Sequence, residues 1–400
     1  MHTERARWLN RTVLGIGLAS LLSDWSHEIA TSVLPAFLAS MGAAAAWLGL
    51  IEGTADGLSS FAKMASGFYT DKLARRKPIA IVGYLVTALG TASFSLATMP
   101  WHILLSRSLA WLGRGVRTPV RKALLAGAVT KETYGRAFGF ERMMDTVGAI
   151  VGPATAFVLI GLFAHNYRKV FLVTLIPGLM AAALITVCVR EKERKKVSHI
   201  SFGERLRALP KAYRKFLVAV GLFGAADFAP TLLILLATQR LTPDYGAAKA
   251  ASYAVGLYVL RNIFYAGSAP VAGWMADNFP KPIVLAAGYA LAAGMALLII
   301  LGPPTIWMLG IIFMLSGIYV AVEETLEDSF CAELVEEEYH GMAFGVLATV
   351  NGLGDFLSSM VVGILWTAFG TTAAFGYSAA LFTVGAVVVL TVGRPYEYKA

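Results

Sequence analysis

Long apolar runs alternate along the chain with short polar joints. Twelve runs stand out, over roughly 12–39, 47–69, 78–98, 102–122, 136–163, 169–189, 214–239, 250–276, 282–301, 305–329, 341–366 and 371–393. Each is about 20 residues or more, enough at 1.5 Å per residue to cross roughly 30 Å of hydrocarbon. The pattern predicts an all-α integral membrane protein with twelve transmembrane helices. Most joints are short, and the exception, 190–213, is polar, basic and central. It divides the chain into an N-terminal six-helix bundle (1–189), a linker (190–213) and a C-terminal six-helix bundle (214–400).

Composition sharpens this picture. Of 400 residues, 57% are hydrophobic and 15% charged, against about 25% charged in an average soluble domain. That excludes disorder and an ordinary soluble enzyme. The first run is too long for the core of a cleavable signal, and it carries Asp24 and Glu28. Cys188 and Cys331 each close an apolar run beside charged residues, so two free thiols are expected.

The net charge of +9 follows from topology. With the N-terminus inside, 25 of the 34 Lys and Arg residues fall on the cytoplasmic side. Only Arg168, Lys169, Arg240 and Lys249 fall on the other, and the remaining five lie within spans. This bias predicts cytoplasmic termini in a bacterial inner membrane. The basic linker has few aromatic residues, so nucleic acid is not an expected partner.

The chain also repeats itself at an offset of about 206. Gly67-Phe-Tyr-Thr-Asp71 recurs as Gly273-Trp-Met-Ala-Asp277, each followed by Lys-Pro-Ile and Gly-Tyr. Gly135-Arg-Ala-Phe-Gly139 recurs as Gly341-Met-Ala-Phe-Gly345. Several matches at one offset indicate a duplicated six-helix unit, a two-lobed arrangement found in secondary transporters. The joint after span two, with Gly67, Asp71, Arg75, Arg76 and Lys77, resembles the G-x-x-x-D-x-x-x-R-R-K loop of the major facilitator superfamily. Ala74 stands where that loop usually has glycine, and the second copy lacks the paired arginines. The resemblance implies two pseudo-symmetric six-helix bundles, alternating access and a monomer. It also implies that Asp71 docks at the start of span eleven, near Gly341, so that Gly67, Asp71 and Arg75 govern conformation; Asp277 is the repeat copy. Fold alone does not specify a substrate.

Charges inside spans are the residues most informative about function, because each costs at least about 2.5–3.5 kcal/mol at a helix centre. Asp24 and Glu28 are one turn apart on one helix face, while the adjacent His27 is expected to point elsewhere. Like charges at that spacing favour holding a proton or a cation. Asp56 is mid-span, Glu52 is placed nearer the outer interface, and Lys63 is a structural partner candidate. Span four is basic and span ten acidic. The offset maps Arg117 onto Glu323, Arg121 onto Glu327 and Lys122 onto Asp328. From the resemblance these two helices face each other, which predicts a cytoplasmic gate of ion pairs; Lys122 and Asp328 are assigned to the membrane surface. Arg107 lies deeper and is expected either to govern a carboxylate such as Asp24 or Asp56 or, with Arg114, to bind an anion.

Span five carries Glu141, Arg142 and Asp145 and then Gly148-x-x-x-Gly152-Pro153. That spacing admits a close helix neighbour, and it resembles the span-five motif of antiporters in the same superfamily. Asp227 is the deep acid of span seven. Phe223, Phe228, Trp111, Tyr258 and Tyr319 are candidate aromatic walls, and aromatics with acids suit a cation. No phosphate loop, zinc-ligand spacing or Ser-His-Asp arrangement is recognisable, so no cofactor, metal or enzyme activity is expected. The expectation is a secondary transporter exporting a cationic small molecule or metal ion in exchange for protons held by Asp24, Glu28 and Asp56. Transport of an organic anion through Arg107 and Arg114 is the alternative, and a transporter-like receptor or assembly factor a remoter one.

Overall fold

Helix starts in this chain are set by caps and prolines. In the computed structural model, which describes residues 8–392 except 44, 165, 192–202, 205, 207 and 208, Asn10 caps the first helix. Its side chain accepts from the N–H groups of Thr12 (2.9 Å) and Val13 (3.0 Å). Thr305 caps another in the same way, and proline occupies the first turn of four more, where its missing N–H costs nothing. Most of the expected linker lies outside the described residues.

The helices are α1 (Arg11–Ser40), α2 (Ala45–Asp71), α3 (Lys77–Ala92), α4 (Pro100–Ala126), α5 (Tyr134–Leu162), α6 (Tyr167–Val173) and α7 (Leu175–Cys188). Then come α8 (Lys211–Gly224), α9 (Pro230–Tyr245), α10 (Ala247–Asn278), α11 (Lys281–Leu301), α12 (Ile306–Leu334), α13 (His340–Phe369) and α14 (Thr371–Leu390). Seven helical segments are long and apolar enough to cross a membrane by length and composition. The charge-bearing α2 and α4 are not among them.

One expected span is divided. Span six stays helical through Thr174, whose carbonyl accepts from Gly178 N–H (3.2 Å) and from Ser26 Oγ (2.8 Å). Span seven breaks over 225–229, between Gly224 and Pro230. The residue before a proline is driven out of the helical region. Backbone groups freed in a span must find partners inside the protein, and here they do. Ala225 O accepts from Tyr377 Oη (3.0 Å), Ala229 N–H donates to Ser359 Oγ (3.0 Å), and Asp227 O accepts from Ser358 Oγ. Cys188 and Cys331 are both free thiols.

The chain forms two compact units. One comprises 1–133, 140–206 and 336–349, the other 134–139, 207–335 and 350–400. Within the first, α2 packs on α4, α3 on α4, and α1 and α3 on α7. Within the second, the equivalent pairs recur: α10 on α12, α11 on α12, and α8 and α11 on α14. The first turns of α5 and α13 are exchanged between the two halves of the sequence. The reason is a pair of matching carboxylate caps. Asp71 accepts from the N–H groups of Gly341 (3.0 Å) and Met342 (2.7 Å), and Asp277 accepts from Gly135 (2.7 Å) and Arg136 (3.1 Å). Free N–H groups and the helix dipole favour a carboxylate there. Gly67 packs against the Gly341 carbonyl and Gly273 against the Gly135 carbonyl, with no room for a Cβ in either place.

The arginine that reaches Asp71 is Arg76, which is buried; Arg75, named with Asp71 as governing conformation, is exposed. Arg76 starts α3, and its backbone N–H, with that of Lys77, is held by the Glu191 carboxylate at 2.7–2.9 Å. That anchor fixes which arginine turns inward. Asp71→Ala removes two charge-assisted hydrogen bonds and leaves Arg76 without its carboxylate. It should cost on the order of 3–5 kcal/mol, read as a lower melting temperature in detergent, with Arg75→Ala costing less.

Candidate functional site

In the first unit the intramembrane charges form one network across α1, α2, α4 and α5. Their polarity excludes them from lipid, so they pair with each other. Arg121, buried on α4, donates to Glu141 (2.8 Å) and to Ser20 Oγ (2.6 Å), and lies 3.5 Å from Asp145. Ser20 also donates to Glu141 (2.8 Å), and Arg142 stands 3.4 Å from Asp145. Arg114 Nη2 is 3.6 Å from Asp24. Arg107 donates to Glu52 (2.8 Å) and to Thr31 Oγ1 (3.1 Å), with its guanidinium 3.5 Å from the centre of the Trp111 ring. Trp111 in turn donates to Asp56 (2.7 Å).

These partners differ in part from those expected. Arg107 serves Glu52 and neither Asp24 nor Asp56, because Glu52 lies one turn before Asp56 on α2, level with Arg107. Glu52 is thus an ion-pair member, and its half-buried carboxylate is not simply solvated at an interface. Asp24 and Glu28 are not an isolated acid pair, since Arg114 lies beside the first and His27 beside the second. His27 was expected to point away from Glu28. Its Nδ1 lies 3.3 Å from Glu28 Oε1. Arg117, expected opposite Glu323, lies over the Tyr84 ring at 4.1 Å, with Nε and Nη1 lacking hydrogen-bond partners. Arg121 takes its partners from α1 and α5, as above.

The second unit is built differently. Asp227 sits in the break between α8 and α9 and accepts from Tyr319 Oη (2.9 Å). Glu327 accepts from Tyr289 Oη (2.6 Å) and from Asn351 (2.8 Å), and Glu324 bonds Tyr265. Glu323 is buried on the same helix, and Asp328, assigned to the membrane surface, is buried too. Tyr289 stacks on Phe223 (4.0 Å between centroids), and Tyr319 and Phe382 close around the same ring. Arg261 donates to Ser316 (2.9 Å) and Asn262 (3.3 Å). The spans of this half carry six acids (Asp227, Glu323, Glu324, Glu327, Asp328 and Asp355), with Arg261 and, at the start of the seventh span, Arg214 and Lys215 as their Lys and Arg. Among the described residues no group of three or more His, Cys, Asp or Glu is arranged to hold a metal ion.

Sequence reasoning missed three features here: the break at Asp227, the tyrosine partners of the acids, and His27. The first had a signal, Gly224 and Pro230 flanking the acid, since Gly/Pro-interrupted apolar segments mark binding regions in transporters.

Glycines bring α1 and α5 together at the acids. A Cβ on Gly152 would overlap Glu28 Cβ, and one on Gly148 would lie 3.2 Å from Asp24 Cβ and 3.0 Å from Trp25 N. The helix runs unbroken through Pro153. The repeat copy of Gly148, Gly354, has the same task against Gly224 of α8, at 2.8 Å.

A family model described as Major Facilitator Superfamily matches residues 16–241 and again 216–400. The chain is 27% identical over 393 residues to an uncharacterized MFS-type transporter, MJ1317, of Methanocaldococcus jannaschii, covering 97% of this chain and 96% of that protein. It is 27% identical over 249 residues to the multidrug resistance protein MdtH of Photorhabdus laumondii, 60% of this chain and 59% of the other. The solved structure of the fucose:proton symporter FucP of E. coli superposes with a TM-score of 0.75 over 96% of this chain and 100% of that one, at 18% identity, a likeness of fold.

The α1–α5 contact yields a paired test. Gly152→Val has to push α1 away from α5 at Glu28, an overpacking that costs typically 1–3 kcal/mol. Gly161→Val, on the same helix with nothing within 4 Å, should leave the melting temperature in detergent nearly unchanged.

Proposed function

This chain belongs to the Major Facilitator Superfamily, and from that premise we propose that it is a secondary transporter that exports an organic cation in exchange for protons. The observation that carries the cationic substrate is Asp227, which stands in a helix break and accepts from Tyr319, whose ring lies 6.1 Å from those of Phe223 and Phe382. A carboxylate with aromatic faces nearby attracts an organic cation by Coulomb and cation–π terms together. Those rings favour an organic cation over a metal ion. The likeness to a multidrug resistance protein supports export. The expected organisation of two six-helix halves joined by a basic linker, with cytoplasmic termini and a single chain working alone, belongs to the same proposal, as does the proton gradient as the driving force.

The anion alternative draws less support. Arg107 is engaged by Glu52 and Trp111, and Arg114 has Asp24 beside it. Asp24 stands 3.6 Å from Arg114, and Asp56 receives the Trp111 N–H.

The test is proton movement in proteoliposomes carrying a trapped pH dye, with organic cations, divalent metals and organic anions added in turn under an imposed pH gradient. Organic cations should move protons. Asp227→Asn should weaken that response by about tenfold or more, equivalent to about 1.4 kcal/mol of cation binding. A response to anions that Arg107→Ala abolishes and Asp227→Asn spares would overturn the cationic reading.

A further inference from the structure

Five of the six acids on the spans of the first unit are tied to groups that keep their protons. Arginine stays charged throughout the accessible pH range, so Glu52, Glu141, Asp145 and Asp24 sit beside permanent cations. Asp56 receives an indole N–H. Glu28 differs, because its close ionic neighbour is the imidazole of His27, at 3.3 Å. Imidazole is the side chain that ordinarily gains and loses its proton near neutral pH.

The imidazole is held on every side. Its ring lies 4.5 Å from that of Trp111, on which Arg107 also rests. Its Nε2 is 3.5 Å from Thr31 Oγ1, which accepts from Arg107 Nη1 and so has its own hydrogen free to donate to Nε2. With Thr31 donating to Nε2, the imidazole hydrogen sits on Nδ1, toward Glu28. In this arrangement Nδ1 is buried and makes no hydrogen bond, a costly state for a polar atom that a small turn of the Glu28 carboxylate would relieve. The charged groups around the pair are Asp24 on α1, Arg107, Arg114 and Arg117 on α4, and Asp145 on α5, with Glu52 and Asp56 of α2 joined to it through Arg107 and Trp111.

We propose that His27 and Glu28 together hold one exchangeable proton and form the proton-carrying pair of the first unit, with Thr31 and Arg107 as positioning residues. In its protonated form the pair shares one proton between the imidazole and the carboxylate. Release takes the single proton from the pair to water and leaves neutral imidazole beside carboxylate, so charge and protons balance without a further reactant. The assignment rests on the proton-exchange reading above and specifies where the proton resides.

The experiment counts protons released by the purified full chain when buffer is stepped from mildly acidic to mildly alkaline pH, first without substrate. His27→Gln and Glu28→Gln should each lose the same proton, and the double variant should lose no more than either single, because the groups share it. Thr31→Val keeps both titrating groups and should keep the proton, released over a shifted pH range. Losses that add in the double variant, or variants that release as many protons as the wild type, would overturn the assignment. Melting temperatures identify any variant that fails to fold, and Thr31→Val then decides through the displacement of its release profile, no displacement counting against the pair. In proteoliposomes, His27→Gln should abolish substrate-driven proton movement and retain substrate exchange at equal concentrations on the two sides. Proton movement by the wild type that persists in His27→Gln refutes the pair alone. Wild-type transport with no proton movement refutes the exchange reading itself.

Discussion

A charge inside a bilayer has no water to turn to, and that constraint organises this protein. Each intramembrane carboxylate or guanidinium costs several kcal/mol unless the protein supplies its solvent. The first unit meets the cost with arginines on α4, whose spacing puts Arg107, Arg114 and Arg121 within reach of acids on α2, α1 and α5 in turn. Breaking one such pair leaves its partner as an uncompensated buried charge, so α4 ties three other helices to itself. The fold and the polar network are consequently one structure, and a change in one of them moves the other.

Close approach of backbones is the second requirement, because arginine and carboxylate can satisfy each other only if their helices nearly touch. Gly148 and Gly152 on α5 supply that beside Asp24 and Glu28. Gly67 and Gly273 supply it at the turns, where Asp71 and Asp277 take up the first N–H groups of α13 and α5. Small residues therefore recur where charged ones do their bonding. In a membrane the gain is van der Waals contact and electrostatics, since lipid offers no hydrophobic drive between helices.

Much of this was legible in the chain. The period and length of the apolar runs gave the helices, and the offset of 206 foretold that α2–α4 packing would be matched by α10–α12. The choice of partners was harder. Whether Arg75 or Arg76 turns inward depends on Glu191, more than a hundred residues away. Arg107 selects Glu52 over Asp56 by helix register, which sequence leaves open by several ångströms. His27 lies off the Asp24–Glu28 face by helical spacing, yet its Nδ1 comes within 3.3 Å of Glu28 Oε1. The break at Asp227 was masked by the apolarity of its flanks, although Gly224 and Pro230 marked both ends.

The two halves share a scaffold and differ in what fills it. Arg121 and Glu327 occupy repeat-equivalent positions, and each reaches the equivalent residue on the fifth helix of its half, Asp145 in one case and Asn351 in the other. Tyr84 and Tyr289 correspond as well. The first lies under the guanidinium of Arg117, and the second donates its hydroxyl to Glu327. The two tyrosines thus serve neighbouring turns of the fourth helix in each half, one through its ring face and the other through its hydroxyl. In the first half a permanent cation, Arg121, stands beside Glu141 and Asp145. In the second half neutral hydroxyls and an amide replace the cation. They hydrogen-bond a carboxylate without supplying an opposite charge. The repeat thus keeps one scaffold and, at the register of Arg121 and Glu327, exchanges a guanidinium for a carboxylate.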